Sequence, residues 1–535
     1  MAGEVDSLDC DVLVVGAGLA GTAAALAAAR DGARVALACS GPVFSGSSFF
    51  PGTWGLGLVG PDGPGDGADL LASVLEVGRG VAIERLSRTL VDGIDGAVAW
   101  LDALGVGLRR AEAPDERDFI PCFDHKRRSW HGLGRGPFRE AMGPALYGAA
   151  VSELPFHDLV DLVGGPGGVR GALLANRKSA RLLRVDAGAI ILATGGFGGL
   201  YGRTLTMPDV SGTAAAVALA HGARLVNIEF IQIMPGLVSP VGGVVFNERT
   251  FRFARLEGFS APHERSLLES RAGHGPFTAS LPDRIVDLAL AQAGPRGAAV
   301  SYALPARMPE FMRTYFDWFE GAFGTSPSRD VRILPYAHAS NGGILIGPDA
   351  STGVPGLFAC GEATGGMHGA DRIGGLSSAN ALVFGRIAGQ SAAAWAGRGH
   401  RAGACGEATL PALATAPCAR EVMRDLRRLM DGRCLILRSE EGLGSARERL
   451  GGLAERLARE SRPTKDVLAA SATTRARQAA LSASALVCAM LERRESRGAH
   501  FRCDYPQPDP AQARPLVIAL EDGVPVARRR GTPRG

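Results

Sequence analysis

The first fully apolar stretch of the chain is short. Val12-Leu13-Val14-Val15 follows a segment dotted with acids, Glu4, Asp6, Asp9 and Asp11, and runs directly into Gly16-Ala17-Gly18-Leu19-Ala20-Gly21. An uninterrupted apolar run bounded by glycine reads as a strand buried on both faces, as in a parallel sheet. Thr22 to Arg30 is nearly all alanine and reads as a helix, and Ala33 to Ala38 reads as a second buried strand. Strand, glycine turn, helix and strand open a dinucleotide-binding βαβ unit. Gly16 permits the tight turn, Gly18 lets the backbone approach a pyrophosphate, and Gly21 lets the helix pack on the sheet. The pyrophosphate then faces the unpaired N–H groups at the helix start.

Further along, Gly41 to Pro64 is rich in glycine and serine and reads as a loop over a ligand. Ala68 to Leu108 alternates amphipathic stretches with short breaks and reads as helices, and within it Ile83 to Leu104 carries apolar residues at helical spacing, with a break expected near Gly93 and Gly96. Arg109 to Gly136 is polar, basic and irregular. Leu159 to Leu162 and Ala172 to Leu174 read as neighbouring strands, and Ala187 to Thr194 as a buried strand ending at Gly195-Gly196. A strand that stops at paired glycines marks the carboxyl edge of a sheet, where ligands approach. Thr213 to Gly222 reads as a helix. Between Pro235 and Pro335 the alanine-rich βαβ pattern weakens while proline, phenylalanine and arginine rise, so an inserted domain is expected. Within it Pro309 to Phe323 is an aromatic helix whose stripe reads as core. Ile344 to Ile346 and Leu357 to Ala359 resume strand character, and Ser378 to Ala394 is a long helix. Ala404 to Pro417 reads as a linker, Arg420 to Glu460 and Thr464 to Arg494 as amphipathic helices, and Pro506 to Gly535 as a tail with a weak strand at Leu516 to Leu520 and mobile closing residues.

Composition narrows the picture. At 535 residues the chain holds two to four domains, and 46% apolar with 21% charged residues is ordinary for a globular protein. A net charge of +4 gives no case for nucleic acid. The nine cysteines are scattered without a CxxC pair, which argues against a metal or iron–sulfur site and against a disulfide framework. A reducing, cytoplasmic setting is expected, since no basic-then-apolar leader opens the sequence and no run is long enough to span a bilayer.

The nucleotide is the next question. An NAD site usually carries an acid after the second strand, but here Ala38 runs into Cys39-Ser40, and Ser40 could make only a weaker bond. A second complete phosphate-binding glycine motif is missing too, so a separate pyridine nucleotide is not supported. Several motifs then occur in order: Cys39 to Val43 with Gly46-Ser47-Ser48-Phe49, Leu192-Ala193-Thr194-Gly195-Gly196, Phe358 to Ala363, Met367 to Gly375, and Arg493 to His500. Over roughly residues 10 to 508 the chain resembles the flavoprotein subunits of fumarate reductase and succinate dehydrogenase and L-aspartate oxidase, and its Cys39 to Val43 and Gly46 to Phe49 segment is closest to the aspartate oxidase form. The resemblance implies an α/β fold: a Rossmann-like FAD-binding domain (1–235 and 337–404), an inserted α+β capping domain (236–336), a helical C-terminal domain (418–505) and a tail (506–535).

By the same resemblance Gly46, Ser47 and Ser48 line the FAD, Glu362 binds its ribose, and Ser377 and Ser378 sit near the flavin ring. Ser47-Ser48-Phe49 lacks the histidine through which dehydrogenases of the family attach FAD, so non-covalent FAD is expected. His338, in Tyr336-Ala337-His338-Ala339-Ser340, matches a histidine that binds a substrate carboxylate, and Arg372 matches an arginine that grips the second. Three positions depart. Met234 and Gly236 flank Pro235 where the family has histidine and threonine, and Asp283 falls where it has its proton-transferring arginine. Arg284, one residue later, is the candidate replacement, although one residue turns a helical side chain by about 100°. His263 and His274 are further candidates.

The resulting expectation is an FAD-dependent oxidoreductase acting on a small anionic substrate, an amino acid or dicarboxylate, with oxygen reoxidising the flavin. Two alternatives stand beside it: an alkene reductase or desaturase of the fumarate reductase type, and a flavin-binding scaffold without turnover. The oligomeric state is open.

Overall fold

The structure, a computed structural model, describes residues 5–63, 65–113, 122–165, 167–399 and 413–529. The closing residues of the expected tail, most of the expected linker and part of the 109–136 stretch lie outside the described residues.

The strand Val5–Val15 (β1) lies at the centre of a seven-stranded sheet, parallel to Val35–Cys39 (β2) on one side and Leu182–Leu192 on the other. Val12, Leu13 and Val14 are fully buried because both faces of the sheet are covered. Leu182–Leu192 changes partners along its length. Its first half pairs antiparallel with Gly168–Asn176, and its last residues pair parallel with Leu357–Ala359, where the chain rejoins the sheet.

The helix Leu19–Arg30 (α1) is buried almost all round and makes its broadest contact with Leu376–Gly397. Small residues on both helices let the backbones meet, and a β-carbon at Gly385 would lie 2.7 Å from Ala20 O. The expected break near Gly93 and Gly96 does not occur, because Glu84–Ala103 is one continuous helix. Gly93 is there for contact: a β-carbon would stand 2.5 Å from Val383 Cγ1 on the long helix. The packing gained outweighs glycine's helix penalty of about 1 kcal/mol.

The chain leaves this body along Ile231–Ser239 and returns along Val331–Ser340, antiparallel neighbours with Pro235 opposite Pro335. Ala298–Tyr302 and Ala254–Leu256 extend the pair to four strands. A separate apolar core covers this sheet, and the aromatic helix Glu310–Phe323 supplies Met312, Tyr315, Phe316 and Phe319 to it.

Beyond residue 413, Ala419–Arg433, Glu440–Arg459 and Val467–Glu492 form the helical part. Ser439 and Asp466 cap the last two by accepting backbone N–H groups. The segment 516–529 then returns to the body as a hairpin, and Leu516–Glu521 pairs with Leu225–Val226. Among the described residues no helix is long and apolar enough to cross a membrane.

Candidate active site

A cleft of about 400 Å³ runs from the start of α1 to the base of the two crossing strands, Ile231–Ser239 and Val331–Ser340. At the α1 end it is lined by Gly16, Gly18, Ser40, Gly46, Ser47, Ser48 and Gly195, and further in by Glu362, Ser377 and Ser378. Gly21 does not line it and serves the turn instead, since a β-carbon there would overlap the Gly16 carbonyl. Gly16 has φ +114°, and a β-carbon would overlap Ala193 O on the neighbouring strand. The helix N-terminus is therefore pressed against the sheet edge with its N–H groups toward the cleft, as phosphate binding requires. Glu362 fills the space left by Gly196, where a β-carbon would lie 2.8 Å from its Oε1, and accepts the Ser340 N–H at 3.0 Å. Burial raises its carboxyl above the ordinary range.

At the other end the cleft meets His338 and Arg372. His338 owes its place to a backbone irregularity. Ile233 pairs with Ala337 and Gln232 with Ala339, so His338 is the extra residue of a β-bulge in Val331–Ser340. A bulge re-aims the side chain it carries. His338 Nδ1 has no hydrogen-bond partner and is buried. Burial, and then the Arg372 charge, push its pKa down to about 4, so the ring is neutral at pH 7.

Arg372 is 7% exposed. Its Nε and Nη2 donate to Gln232 Oε1 at 3.1 and 2.6 Å, and Nη1 donates to Ile373 O at 3.3 Å. A guanidinium has five N–H groups, so two stay available on its outer edge. Burial lowers its pKa to about 10, which leaves it charged. The loop that carries it is held from behind. Asp371 accepts from Arg79 Nε at 2.9 Å and from Thr278 Oγ1 at 2.8 Å. Gly498, at φ +51°, lies so close that a β-carbon would be 2.6 Å from Ala370 C. The 493–500 segment is itself anchored by a buried ion network: Arg493 reaches Glu229 and Glu495, and Arg497 pairs with Glu495 at 2.8 Å.

The structure does not bring Arg284 to this cleft. It opens the helix Arg284–Gln292, and its Nη1 donates to Ala279 O at 2.6 Å. Asp283 is buried against His274 Nε2 at 3.1 Å and against Ser270. His274 is thereby occupied on both ring nitrogens, since Nδ1 bonds Pro276 O at 2.8 Å. His263 is exposed, at the start of the helix Glu264–Arg271. None of these four lines the cleft, whereas Met234 does.

Three lining residues are not singled out by the sequence pattern: Cys122, Glu248 and His368. His368 stands four residues before Arg372, is buried with neither ring nitrogen bonded, and is driven well below the ordinary imidazole pKa by desolvation. Its position within the Met367 to Gly375 motif was the available signal. Cys122 and Glu248 carried no such signal, because each comes to the cleft from a segment distant in sequence.

A doubly wound nucleotide fold whose cleft ends at a buried arginine and an uncharged imidazole fits the class of flavin-dependent oxidoreductases. Comparison with known proteins agrees. Residues 11–254 and 278–378 match the FAD binding domain family, and residues 423–523 match the fumarate reductase flavoprotein C-terminal family. L-aspartate oxidase of Mycobacterium leprae is 31% identical over 96% of this chain and 95% of its own length. A fumarate reductase (CoM/CoB) subunit of Methanothermobacter marburgensis is 26% identical over 96% of this chain and 98% of its own length. Among solved structures, Mycobacterium smegmatis Sdh1 in complex with UQ1 superposes with a TM-score of 0.81 at 23% identity, covering 98% of this chain and 94% of that one. The chain belongs to the fumarate reductase flavoprotein and L-aspartate oxidase family, and its cofactor is FAD.

Proposed function

We propose that the protein oxidises an amino acid at the carbon bearing the amino group, in the manner of the L-aspartate oxidases it resembles, with FAD held non-covalently and dioxygen as the final acceptor. Bound FAD supplies the acceptor for the substrate's hydride. Arg372 presents its two remaining N–H groups to a substrate carboxylate as a charge-assisted fork. His338, neutral at pH 7, fixes the substrate as a hydrogen-bonding partner and adds no second positive charge. The serine-rich loop at Gly46 to Phe49 holds no histidine through which the flavin could be attached.

The observation that carries the reading is the fate of two of the altered positions, Met234 and Asp283. Met234 lines the cleft with an apolar side chain, and Asp283 is spent on His274 and Ser270 outside it. Reduction of an alkene needs an acid to protonate carbon, whereas an amine can shed its own proton before its carbon gives up hydride. The second reading, reduction of an alkene acid, draws on the full-length likeness to a fumarate reductase subunit.

Anaerobic mixing with a panel of amino acids and dicarboxylates separates the two. Bleaching of the visible flavin band by an amino acid, with peroxide formed on admission of air, is the expected result. Reoxidation of chemically reduced enzyme by an alkene diacid, with no bleaching by any amino acid, overturns the proposal.

A further inference from the structure

FAD carries two polyol stretches, the ribose of its adenosine half and the ribityl chain of its flavin half, on opposite sides of the pyrophosphate. With the pyrophosphate at the start of α1, the adenosine ribose falls beside the end of β2. A dinucleotide site ordinarily presents an acid there, whose oxygens accept from the ribose hydroxyls. Here β2 runs into Cys39-Ser40, and Ser40 offers a single side-chain hydroxyl. Glu362, the acid that the resemblance sets at the ribose, stands toward the other end of the cleft: it accepts Ser340 N–H at 3.0 Å, and its charge acts on Arg372. The adenosine end therefore needs another acceptor, and the inference that follows needs only FAD, not the proposed oxidation.

Asp209 lines the cleft, as do Ser40, Gly41 and Thr213. Its neighbour Val210 fixes where it stands. A β-carbon at Gly195, just past the strand Leu182–Leu192, would lie 2.8 Å from Val210 Cγ1 and 3.6 Å from Glu362 Oε2. Gly195 thus parts the two acid-bearing segments, with Glu362 toward Arg372 and Asp209 toward β2. The electrostatics agree: burial pushes the Cys39 thiol at the end of β2 up to about 12, and the charges of Glu153 and Asp209 add to that rise. The backbone around Asp209 is held on both sides. Val210 O accepts from Gly199 N–H at 2.7 Å, Val210 N–H donates to Met207 O at 3.0 Å, and Pro208 O accepts from Arg427 Nη2 at 2.8 Å. The side chain itself is exposed and, among the described residues, makes no hydrogen bond and no ion pair.

We propose that Asp209, and not Glu362, is the acid that holds the adenosine ribose of FAD, accepting hydrogen bonds from its 2′- and 3′-hydroxyls. The acid missing after β2 is thereby supplied from a loop far along the chain. A carboxylate has two oxygens and accepts from both neighbouring hydroxyls at once, which the one hydroxyl of Ser40 cannot do. The backbone bonds at Pro208 and Val210 hold the loop in place before the cofactor arrives, so little ordering cost falls on binding. Asp209 also separates flavins by their adenosine half: FMN has none and gains nothing from this residue.

The test is binding, not turnover. The full chain, freed of flavin, is titrated with FAD, with FMN and with the FAD analogue that lacks the adenosine 2′-hydroxyl, and quenching of flavin fluorescence gives each Kd. Asp209 is exposed, so its replacement leaves the core intact. In Asp209→Ala the Kd for FAD should rise about 10- to 100-fold, the loss expected for hydrogen bonds to a charged acceptor, while the Kd for FMN should not rise. The wild type should bind the deoxy analogue about tenfold more weakly than FAD, and Asp209→Ala should bind the two alike, which isolates the one contact. Asp209→Asn, which keeps one acceptor oxygen, should fall between. Glu362→Gln should keep the full preference for FAD over the deoxy analogue. An FAD Kd in Asp209→Ala within about twofold of the wild type overturns the proposal. So does an equal loss of FMN affinity, or a deoxy penalty that persists in Asp209→Ala and disappears in Glu362→Gln.

Discussion

Replacing Arg372 with alanine removes the one guanidinium that, among the described residues, lines the substrate end of the cleft. Three of its N–H groups are committed, two to Gln232 Oε1 and one to Ile373 O, which leaves two for a substrate carboxylate. A hydrogen bond to a charged group contributes about 1.5–3 kcal/mol, so losing the pair, taken toward the lower end of that range for each bond, should cost about 3–4 kcal/mol of transition-state binding. At about 1.4 kcal/mol per decade that is a fall of 10²–10³-fold, roughly, in kcat/KM for flavin reduction. A second cost falls on the fold. Gln232 is 1% exposed and its Nε2 is already unbonded, so the variant also strands Gln232 Oε1, at about 1–3 kcal/mol of stability. Kinetics therefore have to be read beside FAD content and Tm. The assay is anaerobic stopped-flow reduction of FAD-loaded enzyme, with Arg372→Lys as companion. Lysine restores the charge but not the fork, so it should recover part of the loss. A change in kcat/KM below about threefold in Arg372→Ala, under about 0.7 kcal/mol, with FAD retained, would refute the role given to this arginine.

Three further outcomes follow from the same geometry. His338 titrates near pH 4 in the folded protein against about 6.5 when exposed, so the unfolded chain takes up the proton first. Stability is then complete above about pH 6.5 and lost as pH falls toward 4, by about 3 kcal/mol from this group. Urea midpoints across that window should fall less steeply in His338→Gln, and parallel curves would disprove the assignment. Gly498→Ala places a β-carbon 2.6 Å from Ala370 C, so the Arg372 loop must shift. Its kcat/KM should fall at least about tenfold with FAD still bound, since a displacement of about 1 Å can cost two decades. Arg284→Ala, which among the described residues loses the one side-chain bond to Ala279 O, should change kcat/KM by less than about twofold, and a larger loss would return Arg284 to the site.

Much of the molecule is legible in the chain alone, and for local reasons. Gly16, Gly18 and Gly21 can be read because backbone sterics act over a few residues, and Gly21 does stand where a side chain would overlap the Gly16 carbonyl. The aromatic stripe of Glu310–Phe323 is legible as core because helical periodicity places Met312, Tyr315 and Phe319 on one face. Other features are not. Gly93 looks like a helix break, since nothing nearby in sequence announces that Val383 packs against it. Arg284 looks like a substitute for Asp283, since adjacency in sequence does not say which way a helix start turns.

The sequence by itself determined that this chain winds a nucleotide-binding sheet around β1, because that feature is written in runs of neighbouring residues, and FAD followed from the resemblance its motifs carry. Only the tertiary structure decided what the substrate meets. His338 faces the cleft through a single-residue bulge against Gln232 and Ile233. Cys122, Glu248, Gly275 and Arg372 arrive from four separate segments. The charge balance among them depends on distance and burial, and neither exists until strands far apart in the chain are brought side by side.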